Sequence, residues 1–504
     1  TEIFAGNVSG TWTKANAPYN INGEITVLND STLTIEPGVE VVFTGHYKFN
    51  VQGRLLAIGT ETDTIVFTIN DTTGSHNLTI PDGGWHGIRF IDTPSNNDSS
   101  KIVFCKLQYG KANTGAGSSD RWGGAICAKI NKLLVSHCMF RNNTTYCTNV
   151  DLTAGGAIVI IGDPIIEFCE FTENTSSFGA AMCIWESNTS PMIRNNYFHH
   201  NLGHGTICIG SWGGSNTSPV LINNIITDNI SNECGTITSG HGIVHFSNGG
   251  GVTVLINNTI VNNSCTVTGG GIFTNYSSAT PLLINNIIYG NTPAQVRLDV
   301  SSGLDFYNCL IEGGKEGFSG ATFTGTYQNC KDADPLFVNS NDYHLQNSSP
   351  CIGAAIDILV GSTMYYSPLT DFEGNPRPNP SGSIPDIGAY ENELADPITD
   401  IQTETNQLPT KFALAQNYPN PFNPSTKIKY SIPKQSNVRL KIFDVLGKEI
   451  TTLVDKEQPQ GYFEIEFDGS KLTSGIYFYQ LKAAASTGSS TGIFVETKKM
   501  ILLK

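Results

Sequence analysis

The chain has 504 residues, of which 14% are charged and 39% hydrophobic; an average soluble protein is about 25% charged. Hydrophobic content this high argues against wholesale disorder, no apolar run of about 18 residues marks a membrane-spanning helix, and richness in Gly, Asn, Thr and Val disfavours a helical fold. The net charge of −15 is uneven. Residues 411–504 hold 13 basic and 8 acidic residues out of 29 and 44, leaving 16 and 36 for the rest: an acidic body of −20 joined to a tail of +5. An acidic body lacks the basic footprint that nucleic-acid binding needs. The start at Thr1-Glu2-Ile3-Phe4, with no initiator Met, is what cleavage of a leader would leave. Twelve cysteines without a C-x-x-C pair fit an oxidising destination rather than a zinc ribbon.

In chain order, residues 1–22 read as a capping segment. Short strands follow at Ile25–Val27, Leu33–Ile35, Val39–Val41, Leu55–Ala57 and Ile65–Phe67, between turns at Pro37-Gly38, Gly53 and Gly59. A repeat then takes over. Cys105, Cys138, Cys169, Asn196, Asn224, Asn258, Asn286 and Asn308 occupy one column at spacings of 33, 31, 27, 28, 34, 28 and 22 residues. Two positions on, a Leu, Phe or Ile recurs, with Phe140, Phe171 and Phe198 adjacent. Three positions before lies a second apolar column from Ile102 to Leu283. Five positions on, Gly or Asn recurs and reads as the left-handed turn residue. Units of about 29 residues with short strands and no helix signal predict one coil each of a right-handed parallel β-helix, stacked at about 4.8 Å. Asn196, Asn224, Asn258, Asn286 and Asn308 then form a ladder that exchanges amide hydrogen bonds along the axis.

The Pro-rich stretch from Asp334 to Glu391 reads as the cap over the last coil. Residues 392–410, polar with Pro397 and Pro409, read as a linker. From 411 onward, alternating strands at 8–12-residue spacing predict a small immunoglobulin-like β-sandwich. The fold class is therefore all-β: a β-helix over 1–391 and a sandwich over 411–504.

Two resemblances follow from particular motifs. Leu414-Ala-Gln-Asn-Tyr-Pro-Asn-Pro-Phe-Asn-Pro424, Val438–Lys448, Leu472–Leu481 and Lys498–Lys504 resemble, in order, the motifs of a type A C-terminal sorting domain of the type IX secretion system. That resemblance implies the type IX machinery as a partner, no membrane span, and a place outside or on the outer surface of a Bacteroidota-type bacterium. The first 391 residues resemble secreted β-helix proteins of the pectin-lyase-like superfamily. The stretch from Asp334-Pro-Leu-Phe-Val338 to Asp386-Ile-Gly-Ala-Tyr-Glu391 is similar to the ending called a choice-of-anchor Q domain. This fold hosts lyases, hydrolases, adhesins and fibres alike.

Candidate site residues are sparse. A lyase on this fold needs a Lys or Arg base beside acids that hold calcium. Glu167 and Arg194 share a column on successive coils, with Ser136 beside them. They are the catalytic candidates, although an ion pair is the commoner use of such residues. No metal ligand set is legible, and calcium stays open as a ligand. His199 and His200, neighbours on a strand, are expected to face opposite ways. Trp122, Trp185 and Trp212 are candidates for stacking on sugar rings. Cys183–Cys208, Cys234–Cys265 and Cys330–Cys351 are the disulfide candidates. The functional expectation leans to a non-enzymatic, structural or adhesive surface rod whose partners are itself, head to tail, or a surface polysaccharide. The alternative is a polysaccharide lyase or glycoside hydrolase.

Overall fold

The computed structural model describes the chain outside residues 78–82, 95–98, 113–117, 146–152, 186–187, 211–216, 233–241, 247–250, 267–268, 276–279, 361–362, 398–408, 410, 418, 421, 446, 486–492 and 503–504, with only the backbone of 118, 360 and 485. It divides into two compact units, Thr1–Thr399 and Asp400–Lys504.

The first unit is a parallel β-helix. Among the described residues, three parallel sheets of 12 strands each run along it, with a fourth of 6 strands over the middle rungs. One coil shows the plan. Ser100–Val103 lies in the third sheet, Cys105–Gln108 in the first, Lys111–Ala112 in the fourth and Ile126–Ala128 in the second. Leu133–Ser136 then returns to the third sheet one rung up. Every strand pairs in parallel with its equivalent in the next coil, so like positions stack. Residues 1–22 already follow this plan. Glu2–Ile3, Gly6–Asn7 and Gly10–Trp12 pair in parallel with Tyr19–Ile21, Ile25–Val27 and Thr32–Ile35. The expected cap is thus a rung, and Trp12 stacks on Tyr19 with ring centroids 4.7 Å apart.

The interior follows from the columns. Ile102, Val135, Ile166, Ile193, Leu221, Leu255 and Leu283 are register partners in the third sheet and are fully buried. Phe140, Phe171 and Phe198 stack in the first sheet at 4.7 Å per step. This is the rung spacing, so the rings lie over one another.

Polar residues complete the core at the two sharp corners. The Asn196–Asn224–Asn258–Asn286 ladder is present. Each residue's backbone N–H and Nδ2 donate to the Oδ1 of the next at 2.8–3.0 Å. Asn308 is not its next member. Cys309 holds that place, receiving the Asn286 N–H on Sγ at 3.4 Å, while Asn308 sits at the preceding corner position with φ 49°. The final spacing is 23 residues, because Ile287 pairs with Leu310.

The second expected turn column is also displaced by one. The left-handed residues are Asn142, Glu173, His200, Asp228 and Asn262. Each turns the chain so that the following Asn points inward. The inward set, Asn143, Asn174, Asn201, Asn229, Asn263 and Asn291, forms a second ladder with Nδ2–Oδ1 distances of 2.8–3.0 Å. Gln295 accepts from Asn291 at its end.

The stretch expected to cap the last coil runs along the flank instead. Tyr343, Leu345, Cys351, Ile352, Ile387 and Ala389 pack on the outward side chains Ile225, Val261, Ile287 and Leu310 of the first sheet. Ile356, Leu359 and Tyr365 pack on Val254, Ile256 and Ile284 of the third. This strap is held by the left-handed corner asparagines. Nδ2 of Asn195, Asn223, Asn257, Asn285 and Asn308 donates to the carbonyls of Asp371, Thr370, Asp386, Ile356 and Ala354 at 2.8–3.0 Å. The interior at the last coil is filled by Phe306, Phe318, Phe323 and Tyr327, with centroids 5.3–6.2 Å apart.

The second unit has a sheet of Ala413–Leu414, Ser425–Ile432 and Gly461–Asp468. A second sheet has Glu449–Gln458, Ser436–Phe443, Gly475–Ala485 and Ile493–Leu502 in that order. All its strand pairs are antiparallel. One core joins both sheets, with Ile428, Tyr430, Leu440, Tyr479, Leu481 and Met500 buried, as in a sandwich. The Asn-Tyr-Pro-Asn-Pro-Phe motif has structural work. Asn417 N–H donates to Tyr479 Oη at 2.7 Å, Ile501 N–H donates to Asn420 Oδ1 at 2.8 Å, and Phe422 is buried.

Candidate functional site

Glu167 and Arg194 do meet. They are register partners on adjacent rungs of the third sheet, and Arg194 Nε donates to Glu167 Oε2 at 2.7 Å. Ser136 Oγ donates to Glu167 Oε1 at 3.3 Å. The same hydroxyl lies 2.8 Å from His137 Nδ1, and that ring is stacked between Phe104 and Phe168. The carboxylate is thus held by a guanidinium and a hydroxyl. That arrangement orients and neutralises it, which suits an ion pair across rungs.

The denser titratable group lies on the outward face of the first sheet at the edge of the strap: Arg141 and Glu170 are on rungs before it, while Tyr197 packs against the strap's own cluster. Met139, Glu170 and Tyr197 are successive register partners, as are Arg141, Thr172 and His199. His199 Nε2 lies 2.9 Å from Glu170 Oε1, and its Nδ1 lies 3.3 Å from Thr172 Oγ1. Nδ1 of His199 and His200 are 2.8 Å apart. Strand alternation would separate these two rings, but His200 has φ 53°, and the corner folds them together. Arg141 Nε donates to Glu173 Oε2 at 2.9 Å, which raises the guanidinium pKa and lowers that of the carboxyl. The Tyr197 ring lies 4.3 Å from His199. Its hydroxyl is pushed up to about 12 by burial, reinforced by Tyr343, Asp228 and Glu170. The repeat hid this cluster because its members fall in two different columns. The visible signal was that Glu170 and His199 sit one position either side of the phenylalanine stack.

Trp122 and Trp185 come together, with centroids 5.8 Å apart and both rings half-buried over Val159, Phe178 and Cys183. Trp212 lies outside the described residues.

All ten described cysteines are free thiols. Cys183 and Cys208 are direct register partners and buried. Cys234 lies outside the described residues, so its relation to Cys265 does not enter. Cys330 stands against Cys309, on the rung below, rather than Cys351: Tyr307 pairs with Gln328 just before them and Leu310 with Lys331 just after. Burial pushes the Cys351 thiol up to about 12. Among the described residues no group of three or more His, Cys, Asp or Glu could hold a metal ion.

A buried charge cluster anchors the strap. Arg377 and Glu391 are fully buried side chains joined at 2.8 Å. The guanidinium also donates to Asn223 Oδ1 at 2.9 Å and to the Gly388 carbonyl at 3.0 Å. Asp386 receives the N–H groups of Gly353 and Asn392, both at 2.7 Å. Its carboxyl is nevertheless raised to about 7 by burial and by Glu391. These residues belong to the Asp371-Phe-Glu-Gly-Asn-Pro-Arg377 and Asp386-Ile-Gly-Ala-Tyr-Glu391 motifs, so those motifs serve docking.

Comparison with known proteins adds three findings. Residues 416–496 match the secretion system C-terminal sorting domain. Protein bark beetle of Drosophila melanogaster is 37% identical over 93 residues, 18% of this chain, and the match spans 3% of that protein's length. No solved structure matches. The sorting domain marks the chain as cargo of the type IX secretion machinery, placed outside the cell or on its surface in Bacteroidota. No helix among the described residues is long and apolar enough to cross a membrane.

Proposed function

We propose that the exported chain acts as a rigid β-helical rod with a structural or adhesive role. The observation that carries this reading is the strap. Five corner asparagines and the Arg377–Glu391 pair lock it against the flank. This builds a stiff two-layered wall along the rungs from Asn195 to Asn308, where the strap covers the first sheet's outward face. Stiffness is what a surface rod requires, and the Trp122–Trp185 pair supplies an amphipathic face for sugar rings. Stacking of outermost rungs between copies is the route to a fibre, since heterologous contacts extend without closing. Electron microscopy of the full secreted chain tests this: rods joined end to end support it, and isolated monomers at all concentrations remove the assembly proposal.

A second reading is favoured by the Arg141, Glu170, Tyr197 and His199 cluster at the edge of the strap. A polysaccharide lyase or hydrolase of the pectin-lyase-like kind would work there. A screen on uronic-acid polysaccharides decides it. Release of unsaturated or reducing ends that is lost in Glu170→Gln establishes an enzyme, and no release on any substrate leaves the rod reading standing.

A further inference from the structure

The outward row of the second sheet carries Cys183, Cys208, His245 and Phe273 on successive rungs. These side chains point away from the solenoid interior, yet Cys183, Cys208 and His245 are at most 1% exposed. Phe178, Ile161 and Ala154 cover the two thiols, with Trp122 and Trp185 at the margin. Adjacent strands lie about 4.8 Å apart. Direct register partners therefore fall inside the Cα range of a disulfide.

The other side of Cys208 is the more telling. Its Sγ lies 4.0 Å from His245 Nδ1, and His245 Nε2 lies 3.3 Å from Asn275 Oδ1. The Asn275 carboxamide oxygen is an acceptor, so Nε2 carries the proton and Nδ1 presents its lone pair to the thiol. Thiol, imidazole and carboxamide in this order are the arrangement that activates a sulfur nucleophile. The imidazole takes the proton and the amide holds the ring.

We propose that Cys183 and Cys208 are a redox pair that closes into a rung-to-rung disulfide outside the cell. Cys208 is the attacking thiol, His245 its base, Asn275 a positioning residue, and Cys183 the resolving thiol. The co-reactant is a small-molecule disulfide of the glutathione class. Cys208 passes its proton to His245 Nδ1, and the thiolate attacks one sulfur of that disulfide. The external S–S bond breaks, and one small thiol leaves as a thiolate that takes up the proton. Cys183 then loses its proton, attacks the Cys208 sulfur of the mixed disulfide and expels the second small thiol, which is protonated in turn. Two protein thiols are oxidised by two electrons and one external disulfide is reduced to two thiols. Exchange runs through local opening of the cover. Cys105, Cys138 and Cys169 are equally buried but lie inside the solenoid, and Cys309 with Cys330 on the last rungs is the competing pair that the test separates from this one.

The test uses the full chain incubated with oxidised glutathione at graded pH, quenched in acid, alkylated under denaturing conditions and mapped by mass spectrometry. The expected product is a Cys183–Cys208 linked peptide, with Cys105, Cys138 and Cys169 alkylated. Cys183→Ser halts at a glutathione adduct on Cys208. His245→Gln slows linkage by about tenfold or more at pH 7, and the rate then climbs with pH as the thiol ionises unaided. Asn275→Ala shifts the same profile, and Asn275→Asp restores it. Alkylation of both thiols after oxidation in the wild-type chain overturns the proposal, as does pairing of Cys208 with another cysteine. An unchanged pH profile in a folded His245→Gln chain overturns the role of the base. The wild-type map decides the linkage even where a variant fails to fold.

Discussion

Replacing Asn224 with Ala tests whether the polar ladder holds the rungs together. Asn224 Oδ1 accepts both the backbone N–H and Nδ2 of Asn196 at 3.0 Å. Its Nδ2 donates to the Ile193 carbonyl and to Asn258 Oδ1, each at 2.9 Å. The side chain is fully buried, so water cannot replace it. Truncation leaves the Asn196 N–H, one of the two Asn196 Nδ2 hydrogens and the Ile193 carbonyl without these partners, while Asn196 Nδ2 keeps its bond to the Ile166 carbonyl. An orphaned buried group costs about 1–3 kcal/mol, so three near the lower end sum to about 4 kcal/mol. The backbone of Asn224 is not in the left-handed region, so alanine adds no strain. A solenoid opens locally as well as globally, so hydrogen exchange is the assay. At about 1.4 kcal/mol per factor of ten, protection should fall roughly a thousandfold in Met192–Arg194, Tyr197–His199 and Val254–Ile256, and much less in the terminal rungs. Asn224→Cys should cost less, since Cys169 and Cys309 hold the same column position with sulfur as acceptor. A loss below tenfold, or one confined to Asn224 itself, would refute the ladder as the main link between rungs.

Arg377→Met strands Glu391 in a buried site. It should destabilise strap docking by about 3–5 kcal/mol, read as early proteolytic cleavage between 334 and 391 with the rungs intact. The strap should also loosen as pH rises. The Asp386 carboxyl stays protonated up to about 7 in the fold but ionises near 4 in an unfolded strap, so its stabilising contribution is complete below about pH 4 and lost as pH passes 7. Proteolysis rates measured from pH 4 to 8 check this, and rates that fall with rising pH would contradict it. Trp122→Ala and Trp185→Ala should each weaken retention on a bound polysaccharide by up to about tenfold without moving the thermal midpoint by more than a few degrees. Equal loss of midpoint and binding would mean that the pair only packs.

The parts of the fold that repeat were legible because stacking writes the same demand into each coil. The Phe140–Phe171–Phe198 stack, the aliphatic column and four ladder asparagines all follow from that. Errors fell where two chemistries share one residue type. From Asn195 onward the first corner reads Asn-Asn: Asn195-Asn196, Asn223-Asn224, Asn257-Asn258 and Asn285-Asn286. The first of each pair takes the left-handed conformation and faces outward, and the second faces in. At Asn308-Cys309 only the outward member is Asn, so matching by residue type slips by one. The Glu170–His199 contact escaped because the repeat draws attention to columns, whereas this contact is diagonal.

The same doublets explain why the strap sits where it does. On the earlier rungs the outward corner residues are Phe104, His137 and Phe168, which stack on each other at 4.6 and 4.9 Å, with His137 also meeting Ser136 Oγ. From Asn195 to Asn308 the outward residue is an amide that stacking alone leaves unsatisfied, and each one donates to a strap carbonyl. The change from an aromatic to an amide corner at Asn195 therefore marks the first rung that expects a cover. The outward positions of the first sheet change in step. Arg141, Glu170 and Thr172 lie on rungs before the strap and Tyr197 at its edge, while Ile225, Val261, Ile287 and Leu310 lie under it. A solenoid whose corner and face residues change together along its axis has been built to hold a second layer over part of its length. Low charge follows from the same cause: the covered face and both ladders exclude water, leaving the uncovered rungs and the ends to carry most of the ion pairs.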